Sequence, residues 1–202
     1  IDFAAVPATD IRGTVAVSNQ VNQIVASLSA STPTNYTFIH IAEPDLTAHT
    51  SGWGRAAWTN VIRSLDIELG RIFAAINGNP SLNGLTAVIV TTDHGGTGTA
   101  HSDPLLVNNY TIPFFLWAPG IPDGIDIYTI LNNRQDPGTN RVDYLDDENQ
   151  RLRNSDSANL ALTLLGLPSI PNSYFHPQLA SPLATSAFAE SRASGSVSFP
   201  AS

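Results

Sequence analysis

Apolar residues along the chain follow two spacings, and each spacing predicts a different secondary structure. At every third or fourth position they predict amphipathic helices over 14–30, 53–76 and 155–165. Short continuous apolar runs, rich in β-branched and aromatic residues, predict buried strands over 36–42, 85–92 and 112–118. Because continuous apolar strands between helices are typical of covered sheets, the sequence predicts an α/β fold with a mostly parallel sheet and helices on both faces.

Two regions lack a clear apolar period. Residues 119–154 are rich in Asp, Asn, Pro and Gly, so we expect a long irregular excursion there. It contains an acidic cluster that is either a solvated loop or a weak calcium site: Asp143, Asp146, Asp147 and Glu148. Residues 181–202 are rich in Ala and Ser, which predicts an extended or partly disordered tail. Residues 1–180 would then form one α/β domain, a usual size for a single core.

The composition excludes several kinds of partner and chemistry. The formal net charge is -8 and the chain contains no Lys, so nothing resembles the basic patch that binds double-stranded nucleic acid. No apolar run is long enough to predict a membrane span. The absence of Cys excludes disulfides, thiolate ligands and Cys nucleophiles. The chain also contains no Met, so we expect a mature product or a proteolytic fragment.

Candidate metal ligands stand where two predicted strands end. Asp45 and His49 follow the first strand in a predicted polar loop over 43–52, and their spacing, in a loop or a first helical turn, can aim both side chains at one point. Carboxylate and imidazole groups suit zinc or manganese. The alternative is that Asp45 caps a turn or a helix and His49 lies on the surface. Ligands of open α/β sheets bind beyond the carboxyl ends of strands, where this pair lies, but the pair taken alone favours the alternative.

A second set of candidates lies in the loop after the next strand. Asp93 and His94 follow that strand directly, and His101 lies a few residues further on. Gly95 and Gly96 have no Cβ, which permits a sharp turn that lets the neighbouring Asp and His side chains converge. The alternative is an exposed loop in which Asp93 only caps backbone N–H groups. Two loops that each present Asp and His favour a metal site over chance.

In their order along the chain, these motifs resemble the alkaline phosphatase superfamily, and most closely its nucleotide pyrophosphatase/phosphodiesterase-like branch. Pro44-Asp45-x-x-x-His49 is similar to the first metal motif of that superfamily, and Thr92-Asp93-His94-Gly95-Gly96 is similar to the second. The stretches IPFFLWAPG (112–120) and LLGLP (164–168) are similar to the next strand and the closing helix. The resemblance covers residues 36–176 and implies an alkaline phosphatase-like fold.

The resemblance implies a metal-dependent hydrolase of phosphate esters, either a phosphodiesterase or a phosphomonoesterase, that uses two divalent ions. Zinc is the expected metal and manganese the second choice. One ion would be held by Asp45, His49 and His101, and the other by Asp93 and His94. The substrate would be a small-molecule phosphate ester. Many relatives are secreted or periplasmic, so the resemblance also implies an extracellular or periplasmic location.

The resemblance further implies parts that the chain does not show. A Ser or Thr nucleophile and another Asp normally come from an earlier strand and helix, and the residues before Tyr36 offer no strand followed by such a helix. We therefore expect the C-terminal part of an enzyme, with no catalytic nucleophile in this chain and the N-terminal remainder as its partner. Alternatives are a sulfatase or phosphoglycerate mutase-like enzyme of the same superfamily, or a non-catalytic metal-binding fragment.

Other candidate residues receive minor roles. His176 is the reserve metal ligand, because some relatives take their third ligand from far downstream. His40 lies in the first predicted strand, so we expect a core residue or a group that orients a ligand from behind. The three Trp residues are expected in the core rather than as substrate platforms: Trp53, Trp58 and Trp117.

Overall fold

The structure is a computed structural model that describes residues 3–5, 17–138 and 150–180. The predicted acidic cluster at 143–148 and the predicted tail at 181–202 lie outside the described residues. The elements follow one another in mixed α/β order: β1 (Phe3–Ala5), α1 (Val17–Leu28), β2 (Tyr36–Phe38), α2 (Glu43–Ser51), α3 (Ala56–Gly78), β3 (Val88–Thr91), α4 (Val107–Tyr110), β4 (Phe114–Trp117), a 3₁₀ helix (Ile127–Ile130) and α5 (Asp156–Leu164). None of the described helices is both long enough and apolar enough to cross a membrane.

The first of two compact units comprises Ile1–Gly84 and His94–Thr111. Within it α1 and α2 both pack on α3, and the apolar faces of α1 and α3 supply a core of Val17, Val21, Ile24, Leu28, Ile72 and Ile76. The side chain of Asn79 donates to the Leu28 carbonyl oxygen at 2.7 Å, which satisfies an acceptor left free at the end of α1. The predicted helices over 14–30 and 53–76 are thus present as α1 and α3.

Strand β1 was not predicted from the sequence. It pairs in parallel with β2, with Phe3 opposite Tyr36 and Ala5 opposite Phe38. A strand therefore precedes α1 in the chain, a feature that the apolar pattern did not predict. Strand β2 ends at Phe38, earlier than the predicted end at residue 42.

The predicted polar loop over 43–52 is also wrong, because residues Glu43–Ser51 form helix α2. The segment has no apolar period, so the hydrophobic pattern could not identify it. Its start carries other helix signals, however. Pro44 stands in the first turn beside Glu43 and Asp45, and His49 lies in the last turn, an arrangement that complements the helix dipole.

The second unit comprises Leu85–Asp93 and Ile112–Ser202. Its strands β3 and β4 pair antiparallel, with Val88 opposite Trp117 and Thr91 opposite Phe114. The prediction of a mostly parallel sheet fails for this pair. Continuous apolar runs indicate that a strand is buried, but they carry no information about its direction. The core of this unit is formed by Ile130, Leu131, Leu152, Leu160, Leu164 and Leu179.

Helix α5 confirms the predicted helix at 155–165 and shows how its ends are held. Ser155 occupies the N-cap position but makes no capping hydrogen bond with its side chain. Asp156, in the first turn, ties the segment before the helix to its start, because its fully buried carboxylate accepts from the Arg153 backbone N–H at 2.8 Å. At the other end Gly166 adopts a φ of 66°, the left-handed conformation that glycine favours after a helix.

Candidate metal centre

Helix α2 brings two of the predicted ligands together. Asp45 and His49 are four residues apart, so they lie on the same face one turn apart. His49 Nε2 is 3.4 Å from Asp45 Oδ1. Of the two settings considered for this spacing, a loop and a helical turn, the structure has the helix.

The tautomer of His49 follows from a contact with the loop at 97–101. His49 Nδ1 lies 3.0 Å from the carbonyl oxygen of Thr99. A carbonyl oxygen only accepts, so Nδ1 carries the proton and donates it. Nε2 then presents its lone pair on the side of Asp45, which is the arrangement that metal-binding histidines commonly have.

His101 completes a group of three candidate ligands. One ligand atom from each of Asp45, His49 and His101 lies within 4.8 Å of the others. Asp45 Oδ1 is buried and has no hydrogen-bond partner among the described residues, although the Asp45 side chain as a whole is 40% exposed. A buried carboxylate oxygen without a donor is costly, and a cation would satisfy it. One carboxylate and two imidazoles also form a donor set that suits zinc, so these residues fit a metal ion.

His94 stands at the edge of this group. Its Nδ1 donates to the Gly95 carbonyl oxygen at 2.8 Å, which again leaves Nε2 as the acceptor nitrogen. Nε2 is 3.8 Å from Asp45 Oδ1. The rings of His94 and His101 stack with centroids 3.7 Å apart and an interplanar angle of 13°. Three imidazoles and one carboxylate thus converge in the first unit.

Comparison with known proteins shows the family of this chain. A family model for type I phosphodiesterase / nucleotide pyrophosphatase matches residues 5–158, about three quarters of the chain. The chain belongs to the type I phosphodiesterase/nucleotide pyrophosphatase family. No curated protein and no solved structure matches it. The family is one of metal-dependent phosphoric ester hydrolases and lies within the alkaline phosphatase superfamily, so the predicted family and enzyme class are confirmed.

Two glycines of this phosphodiesterase-family chain matter because they lack a Cβ. Neither Gly95 nor Gly96 has a positive φ, so no left-handed turn requires them. They allow close approach instead. A Cβ on Gly95 would lie 2.0 Å from the Asn108 carbonyl oxygen, and a Cβ on Gly96 would lie 2.2 Å from ring atoms of Trp53.

Trp53 is the site residue that sequence reasoning missed. We expected a core residue, but its ring lies among the imidazoles, with centroids 5.4 Å from His49, 6.3 Å from His94 and 5.8 Å from His101. The available signal was its place just after α2, four residues beyond His49. Apolar patterning treats such a position as the start of the next helix and gives it no role in a site.

The described cluster of three candidate ligands does not include Asp93, His176 or His40. Asp93 belongs to the second unit, and its backbone carbonyl oxygen accepts from Asn154 Nδ2 at 2.9 Å. His176 also belongs to the second unit, where its Nδ1 lies 3.3 Å from Asn159 Nδ2. His40 is exposed and lies beyond the end of β2, so the expectation of a core histidine is wrong.

Proposed function

We propose that this chain supplies a divalent-metal site to a phosphate-ester hydrolase, and that Asp45, His49 and His101 hold the ion. One observation carries the proposal. The three candidate ligand atoms lie within 4.8 Å of one another around a buried carboxylate oxygen that lacks a hydrogen-bond donor. Zinc suits this donor set best, and manganese is the alternative.

The role of the ion follows from the chemistry of phosphate and the charge of the chain. A phosphate ester is an anion, and a chain with a net charge of -8 would repel it. A divalent ion bound at the site supplies local positive charge, which neutralises the phosphate oxygens and lowers the pKa of a bound hydroxyl or water. The protein's own contribution is to hold its ligands ready. Two backbone carbonyls fix the tautomers of His49 and His94 before any ion arrives.

Several finer features are part of the proposal. A second divalent ion would be bound by Asp93 and His94, as the family resemblance implies. The Ser or Thr nucleophile would lie upstream of this chain, in the N-terminal remainder of the same protein, which would also complete an alkaline phosphatase-like, mostly parallel sheet. The substrate would be a small-molecule phosphate ester, and the location would be extracellular or periplasmic.

The family match bears on the alternatives. It supports phosphate esters over the sulfate esters or phosphoglycerates of other superfamily members. A non-catalytic metal-binding fragment shares the same ion site and differs in lacking turnover. The two are distinguished by assaying a chromogenic phosphodiester and a monoester with zinc added back after chelation.

Zinc binding by the purified chain tests the proposal. Metal is first removed with a chelator, and the metal-free protein is titrated with zinc by calorimetry. The same titration is made with His49→Ala and with a matched control, His40→Ala, which removes an exposed histidine outside the cluster. We expect the wild type and His40→Ala to bind alike and His49→Ala to bind far more weakly. Equal binding by all three proteins, or none by the wild type, would contradict the proposed site.

A further inference from the structure

We propose that Trp53 is a positioning residue for the metal ligands, acting by packing rather than by coordination. The inference rests on the proposed metal site and goes beyond it. It assigns to one aromatic side chain the task of holding imidazoles that come from two separate segments, helix α2 and the loop at 94–101.

The first argument is the geometry of the rings. Trp53 meets His49 at an interplanar angle of 79°, His94 at 63° and His101 at 75°. Each is an edge-to-face arrangement within the range in which aromatic pairs attract one another. One indole ring therefore contacts every imidazole of the cluster.

The second argument concerns His101, the ligand with the weakest hydrogen-bonded support. His49 and His94 are each oriented by a hydrogen bond from Nδ1 to a backbone carbonyl oxygen. Among the described residues the His101 ring has no hydrogen bond, and its neighbours are the rings of His94, His49 and Trp53. Ring orientation at metal ligands is normally fixed by a hydrogen bond to the second nitrogen. Here packing takes that role, and Trp53 is the member of the packing that carries no candidate ligand atom.

The third argument is that the indole itself is held in place. The indole packs directly against Gly96. A Cβ added to Gly96 would lie 2.2 Å from Cδ2 and Cε2 of the indole and 2.6 Å from Cε3. The backbone N–H of Trp53 donates to the Gly98 carbonyl oxygen at 2.8 Å. Trp53 therefore contacts the loop that bears His94 and His101 at two points, through its ring at Gly96 and through its backbone at Gly98. A side chain anchored in this way can restrict the rotamers of its neighbours.

Zinc affinity measured by chelator competition tests the inference, with the melting temperature of the metal-free protein recorded in parallel. We expect Trp53→Ala to bind zinc about 10- to 100-fold more weakly, the usual range for groups that orient metal ligands. Trp53→Phe should recover most of the affinity, because it retains an aromatic edge. Trp58→Ala is the matched control, since Trp58 is a half-buried Trp of α3 with no ring contact to the three histidines among the described residues.

Gly96→Ala provides an independent check through a double-mutant cycle. The added Cβ should displace the indole and weaken zinc binding in the wild-type background. In Trp53→Ala the ring that it would meet is gone, so Gly96→Ala should add no further loss. Additive losses would overturn the inference.

The outcomes separate the inference from the function on which it rests. If the wild type fails to bind zinc, the proposed metal site fails and Trp53 has no ligands to position. If the wild type binds zinc and Trp53→Ala binds it equally well, only the inference on Trp53 is overturned. If Trp53→Ala and Trp58→Ala weaken binding to the same extent, with equal losses in melting temperature, Trp53 has a general structural role and the inference is wrong.

Discussion

Gly95→Ala tests whether close backbone contact shapes the loop that carries the histidines. A Cβ at this position would lie 2.0 Å from the Asn108 carbonyl oxygen and 2.8 Å from that of Thr111. Both atoms belong to the backbone, so neither can move away by a change of rotamer. The Gly95 N–H also donates to the Asn109 carbonyl oxygen at 3.0 Å, and the displacement would strain this bond.

The magnitude follows from these distances. Ordinary van der Waals contact begins at 3.4 Å, so the two segments must separate by about 1.4 Å at the closest point. Overpacking of this kind costs about 1–3 kcal/mol, and loss of the hydrogen bond adds about 0.5–1.5 kcal/mol. We therefore expect the free energy of unfolding to fall by about 2–4 kcal/mol. His94 directly precedes Gly95 in the chain, so zinc affinity should fall as well.

Urea unfolding followed by circular dichroism measures the first effect, and chelator competition measures the second. Gly70→Ala is the matched control, because Gly70 lies inside α3 with nothing within 4 Å of the added Cβ. Replacing a helix-interior Gly by Ala should stabilise the protein by about 0.5–1 kcal/mol. The same chemical change is thus expected to have opposite signs at the two positions. A Gly95→Ala variant as stable as the wild type, with unchanged zinc affinity, would refute the reasoning.

Three further predictions concern stability. Asp156→Ala should lower the free energy of unfolding by about 3–5 kcal/mol, because it leaves the buried charge of Arg134 without a partner. In the wild type, Arg134 Nη2 lies 2.6 Å from Asp156 Oδ1. Urea unfolding at neutral pH measures the effect, and a loss below about 1 kcal/mol would contradict the prediction. Asn109→Ala removes the bond from Nδ2 to the Asp103 carbonyl oxygen at 2.8 Å and should cost about 1–3 kcal/mol in the same assay. Burial raises the pKa of Tyr128 above its usual 10.0. The neutral phenol therefore stabilises the folded state below pH 10, and this stabilisation is lost as pH rises through the folded-state pKa. The free energy of unfolding of the wild type, relative to that of Tyr128→Phe, should therefore decline above pH 10. A difference between the two proteins that stays constant up to pH 12 would contradict this prediction.

Much of the candidate site could be predicted from the sequence because its chemistry is local. Asp45 and His49 lie one helical turn apart, and that spacing can be recognised without knowing the fold. The three residues assigned to one ion by resemblance are the three whose ligand atoms the structure brings within 4.8 Å. Trp53 could not be found in this way, because its contacts with the imidazoles depend on how the loop after β3 folds back on α2.

The helices with apolar faces could be predicted for a related reason. Helices α1 and α3 each bury one face against the other, so their buried residues recur with the helical period in the sequence. Helix α2 was not predicted because Ala48 is its one buried residue, and a helix without an apolar face has no apolar period. Its acidic first turn and Pro44 were the only local signals.

Strand direction and length could not be predicted, since both depend on the partner. Strand β2 pairs in parallel with β1, whereas β3 pairs antiparallel with β4. An apolar run reports only the surroundings of its own side chains. Pairing is a property of two segments, and the pattern within one of them does not contain it.

The most direct test of the central claim is the position of the zinc ion in crystals of the zinc-loaded protein, located by anomalous diffraction at the zinc edge. We expect a peak about 2.0–2.2 Å from Asp45 Oδ1, from His49 Nε2 and from a ring nitrogen of His101. Peaks confined to other residues, or an ion on Asp45 and His49 whose third ligand is His176, would contradict the proposed site.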